Sequence, residues 1–89
     1  GSFYPGDLIE LDAMVHRLLG AAAPPAIDID LRVLIVPHAG LAYSGPVAAT
    51  AYALVDGAAV RRVVLLGPSH FRGFAGLALS GQAGFATPL

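Results

Sequence analysis

The chain has 89 residues, 56% of them apolar, with a mean hydropathy of +0.72 and a formal net charge of −1. Its five cations are all Arg (Arg17, Arg32, Arg61, Arg62, Arg72) and form no stripe, which disfavours a phosphate-reading nucleic-acid surface. There is no cysteine for a disulfide or a thiolate metal site, and no apolar run reaches the roughly 18 residues that span a bilayer; the expectation is a soluble, cytoplasmic protein.

The first six residues, GSFYPG, read as a loop punctuated by Pro5 and Gly6, with Phe3 and Tyr4 as large rings that need a surface to tuck into. A helix is predicted to begin near Asp7. Asp7 is a good N-cap, and Glu10 three residues on makes a capping-box-like pair. Leu8, Leu11, Val15, Leu18 and Leu19 recur at helical spacing as one apolar face, and Gly20 suits the stop. Ala21 to Pro25 reads as a linker. A first strand is predicted from Arg32 to Val36, continuously apolar after its first residue, as suits a parallel strand covered on both faces. Pro37 ends it.

The loop Pro37-His38-Ala39-Gly40-Leu41-Ala42-Tyr43-Ser44-Gly45 follows. A second helix is predicted to start at Pro46, a favoured first helical position, with Ser44 or Gly45 as its N-cap, and to run to about Val55. A second strand is predicted from Arg62 to Leu66, ended by Gly67-Pro68 and followed by Ser69-His70. A shorter third strand is predicted from Gly76 to Ser80, and residues 81–89 read as loop. The order α-β-α-β-β contains one unit, strand–helix–strand, of the length of a βαβ motif, whose right-handed crossover would make the first two strands parallel. The fold class expected is therefore α/β, a parallel βαβ core with an N-terminal helix. The apolar share exceeds the usual ~45–50%, and the chain closes on Thr87-Pro88-Leu89 without a helix or a polar tail. Both features suggest one partial domain over residues 1–89, a fragment of a larger one.

In open parallel sheets ligands bind beyond the carboxyl ends of the strands. His38 comes two residues after the first strand and His70 four residues after the second, so both fall on that rim. Neighbouring strands lie about 4.8 Å apart. Two imidazoles sharing an ion, each with its nitrogen about 2.1 Å from it, need those nitrogens roughly 3 Å apart. His38 and His70 are thus candidate ligands of one metal. A mononuclear site usually has three protein ligands, and no third appears: Asp28, Asp30 and Asp56 belong to the opposite edge, and Asp7, Glu10 and Asp12 to the first helix. His16, one turn from Asp12, reads as a solvated residue. Gly40 and Gly45 are expected to let the loop turn tightly and a ligand approach. The second helix directs its N–H groups at the same region, suited to an anionic group of a substrate. Tyr4, Gly40, Tyr43, Ser44 and Ser69 are the candidate pocket residues; for the serines, loop hydrogen bonding and capping of the second helix are the competing reading. No dinucleotide-binding glycine pattern or P-loop lysine is present.

Four strings in this order, Ser2-Phe3-Tyr4-Pro5, Pro37-His38-Ala39-Gly40-Leu41-Ala42-Tyr43-Ser44-Gly45, Leu66-Gly67-Pro68-Ser69-His70 and Thr87-Pro88-Leu89, resemble the Memo family, also called AmmeMemoRadiSam system protein B. The resemblance implies an α/β sandwich similar to the LigB-type class III extradiol dioxygenases, of which this chain would be the N-terminal part. It implies that His38 and His70 match the first two metal-binding histidines, with the third ligand beyond Leu89. Iron (Fe2+) is the implied metal, with copper or zinc as alternatives. AMMECR-type and radical-SAM proteins are implied as partners. Leu41 departs from the aromatic residue of many relatives, which removes a stacking group at that point and leaves Tyr43.

Two functions follow as expectations. One is a metal-dependent, dioxygenase-like redox enzyme acting on a small molecule. The other is a non-catalytic module that binds a peptide or protein in the same cleft. A metal-dependent hydrolase ranks third, since no carboxylate base falls in the two histidine loops.

Overall fold

A computed structural model describes all 89 residues, Gly1–Leu89. Its regular structure consists of two helices, α1 (Leu8–Ala21) and α2 (Leu41–Tyr52). The first helix starts where the sequence places it. The Asp7 side chain accepts the Glu10 N–H at 3.0 Å, satisfying one of the donors that every helix start leaves unpaired. It runs one residue past Gly20, and the Ala22 N–H then bonds to the Leu19 carbonyl.

The second helix corrects the sequence reading. It begins at Leu41, five residues before Pro46, with Gly40 and not Ser44 or Gly45 as its N-cap, and it ends at Tyr52 before a turn that reaches Val55. Pro46 therefore lies inside the helix. Two features make that tolerable. Residue 45 is glycine, so the clash of a preceding Cβ with the proline ring is absent. The Ala42 carbonyl, which would have accepted an N–H from residue 46, belongs to an exposed residue open to water.

The two helices pack on each other through small residues. Leu11, Ser44, Gly45, Ala48 and Ala49 are the buried positions of the chain. A Cβ built on Gly45 would stand 2.7 Å from Leu18 Cδ1 and 3.3 Å from Cδ2, so the glycine is what lets α2 approach α1 this closely. The expected face of α1 is only partly used. Leu11 is buried and Val15 and Leu18 half-buried, while Leu8 and Leu19 are exposed.

The three runs read as strands, 32–36, 62–66 and 76–80, have no regular secondary structure, and no strand is present. The backbone–backbone hydrogen bonds all fall in the helices and between residues 3 and 60, so none reaches the second or third run. Val63, Val64, Leu65, Leu66, Leu77 and Leu79 are exposed, each by more than 70%. A parallel strand is defined by the ladder to its neighbour, and these segments make none. Ile35 and Val36 border an open apolar groove whose other wall is Pro46, Val47, Thr50 and Leu54 of the α2 region.

Candidate functional site

His38 and His70 come together. They are 32 residues apart in sequence, yet their ring centroids lie 5.2 Å apart with planes inclined at 43°. Both are exposed. Two imidazoles on one ion, each nitrogen about 2.1 Å from it and about 1.1 Å from its own ring centroid, have centroids roughly 4.5–5.3 Å apart for bond angles between 90° and tetrahedral. The observed separation fits. It also lies within the range of ordinary ring packing.

No group of three His, Cys, Asp or Glu side chains able to hold a metal forms. Four of the six carboxylates are engaged elsewhere. Asp7 caps α1, Asp12 faces His16 one turn on at 3.3 Å, Asp30 pairs with Arg32, and Asp56 accepts the Ala58 N–H at 3.0 Å. His16 also contacts the Asp12 carbonyl through Nδ1 at 3.0 Å and stays on the exposed side of α1, as its spacing suggested.

The loop holding His38 is fixed from two sides. Ser44, 5% exposed, donates its hydroxyl to the Ala39 carbonyl at 2.6 Å, with the Gly40 carbonyl next in reach at 3.3 Å. The serine thus ties the helix back to the residue after His38 and does not cap α2 from outside. On the other side, the Leu41 N–H donates to the Phe3 carbonyl at 2.8 Å. A Cβ on Gly40 would meet Phe3 O at 3.3 Å and Phe3 Cα and Ser2 O at 3.4 Å. What approaches Gly40 is therefore the N-terminal arm, and what approaches Gly45 is Leu18.

Ser69 donates its hydroxyl to the Arg72 carbonyl at 2.6 Å, a bond that rounds the turn containing His70. Tyr43 projects from the first turn of α2 and is 85% exposed, and Tyr4 is 40% exposed. Neither the Phe3 carbonyl nor the Leu41 N–H was legible as part of this site, because backbone groups carry no residue-type signal. Phe71, which follows His70, is 98% exposed and does not pack.

No helix is long and apolar enough to cross a membrane. No solved structure matches the chain. The family model described as Memo-like protein matches residues 1–89. Among curated relatives, Protein MEMO1 of Danio rerio is 41% identical over 89 residues, which is all of this chain and 29% of that protein. Protein memo-1 homolog of Caenorhabditis elegans is 39% identical over 89 residues, all of this chain and 25% of that protein. An archaeal MEMO1 family protein, from Nitrosopumilus maritimus, is 34% identical over 93 aligned positions, covering all of this chain and 34% of that protein. The chain thus spans about a quarter to a third of the length of the curated relatives it matches. A profile matched from one end to the other, together with whole-chain identities near 40%, establishes that the chain belongs to the Memo-like family.

Proposed function

We propose that His38 and His70 are two ligands of one metal ion, non-haem iron (Fe2+), in a cytoplasmic redox enzyme acting on a small molecule. The observation that carries this reading is the pairing of the two rings at 5.2 Å. The third ligand belongs to a part of the protein outside these 89 residues, since the relatives are three to four times longer. In the complete domain the runs 32–36, 62–66 and 76–80 become strands, the first two parallel, and the apolar side chains now exposed are covered.

The chain's own residues supply the frame. His38 and His70 offer imidazole nitrogens. Ser44 and Ser69 lock the two loops through the Ala39 and Arg72 carbonyls. Tyr43 presents an exposed ring three residues after Gly40, where it can border a substrate. When bound, iron supplies the redox and Lewis-acid chemistry, and the protein fixes which positions around it stay open.

The test uses the full-length protein. His38→Ala and His70→Ala are each expected to lower iron content, by metal analysis, at least tenfold, and oxygen uptake with a panel of catechols is expected to fall with it. Unchanged iron content in both variants sinks the reading. Capture of a peptide or protein partner equally well by metal-free protein, with no oxygen uptake, turns it into a binding module.

A further inference from the structure

The N-terminal arm crosses the start of α2 close to His38. Three observations describe the crossing. The Phe3 carbonyl accepts the N–H of Leu41, the first residue of the helix. Gly40 has no Cβ, and one would press on the backbone of Ser2 and Phe3 at 3.3–3.4 Å. Ser44 holds the Ala39 carbonyl from the helix side. A Cβ 3.3 Å from the Phe3 carbonyl oxygen is tighter than an ordinary contact, and no flexible side chain is there to give way, so a side chain at 40 must shift the arm or the loop by a few tenths of an ångström.

We propose that Gly40 and the Phe3 carbonyl act as a positioning latch for His38: the arm takes the first N–H of α2, and this holds the backbone two residues from the imidazole in place. The role in metal binding rests on the reading of His38 as a ligand; the latch itself does not. Partners that orient a ligand from outside the coordination sphere commonly change affinity about 10- to 100-fold when removed.

The substitution Leu41→Pro isolates the latch. Proline at the first helical position is favourable and has no N–H to donate. Gly40 has φ −54° and ψ 146°, outside the α region that a following proline disfavours. Leu41→Ala is the control, because it loses the same side chain and keeps the N–H. In full-length protein, Co2+ binding followed by its visible spectrum is expected to weaken about tenfold in Leu41→Pro and in Gly40→Ala, and to be unchanged in Leu41→Ala. The melting temperatures of the metal-free Leu41→Pro and Leu41→Ala proteins are expected to agree within a few degrees. In metal-free protein, the residue-41 amide is expected to exchange slowly in wild type and in Leu41→Ala, and at least tenfold faster in Gly40→Ala. Equal Co2+ affinity in the Leu41→Pro and Leu41→Ala variants overturns the positioning role. Unchanged amide exchange in Gly40→Ala overturns the latch itself. Should His38→Ala bind Co2+ as well as wild type, the metal reading fails, and the exchange result alone still judges the latch.

Discussion

Gly45 is the position where packing leaves least room, and its substitution by alanine gives a quantitative test of the α1–α2 contact. The added Cβ would lie 2.7 Å from Leu18 Cδ1, closer than carbon atoms approach. The obstructing atom is the end of a flexible side chain, so Leu18 can turn aside, but only by leaving its favoured rotamer and loosening its contacts. Such overpacking costs about 1–3 kcal/mol, of which an off-rotamer torsion accounts for about 0.5–1.5 kcal/mol. Replacing glycine by alanine inside a helix returns about 1 kcal/mol. Here the strain of an alanine Cβ against the Pro46 ring offsets that gain. The expected net effect of Gly45→Ala is therefore destabilisation by about 1–3 kcal/mol. In a Leu18→Ala background the obstruction is gone, and the same substitution is expected to cost about 0–0.5 kcal/mol. Urea denaturation of the four full-length proteins of this double-mutant cycle measures the coupling, about 0.5–3 kcal/mol. A coupling below about 0.5 kcal/mol would mean that Gly45 is not there to admit Leu18, and the account of helix packing fails.

Other consequences follow from single hydrogen bonds. Ser44→Ala removes the hydroxyl of a buried serine from the carbonyl of the exposed Ala39, and is expected to cost about 0.5–1.5 kcal/mol in urea denaturation. The same variant is expected to quicken amide exchange in the His38 loop; no change in either would remove Ser44 from the frame of the site. Asp7→Ala removes the bond to the Glu10 N–H and is expected to destabilise by about 1 kcal/mol, with Asp7→Asn nearly neutral, since both side chains cap well. A loss that Asp7→Asn shares would point to charge and not to the hydrogen bond.

How much of this was legible in the sequence depended on how local each cause is. The start of α1 was readable because an N-cap acts within three residues: Asp7 and Glu10 meet in any chain that bends into a helix there. The end of α1 was readable to within a residue from Gly20. The start of α2 was not. Pro46 is a strong local signal for a first helical position, and it misled because the competing facts are distant. Leu41 finds its hydrogen-bond acceptor in Phe3, 38 positions back, and Gly45, which spares the proline ring a Cβ, is also where Leu18 of the other helix comes close.

The candidate site divides in the same way. The sequence alone named the two histidines and the loops that carry them, since residue type and position after an apolar run are local properties. It also carried the motifs that mark the family. That the rings stand 5.2 Å apart and that Gly40 serves the arm were decided by the tertiary structure. Contacts between segments some 30 to 40 residues apart depend on where the chain returns in space, and no pattern within one segment encodes that return.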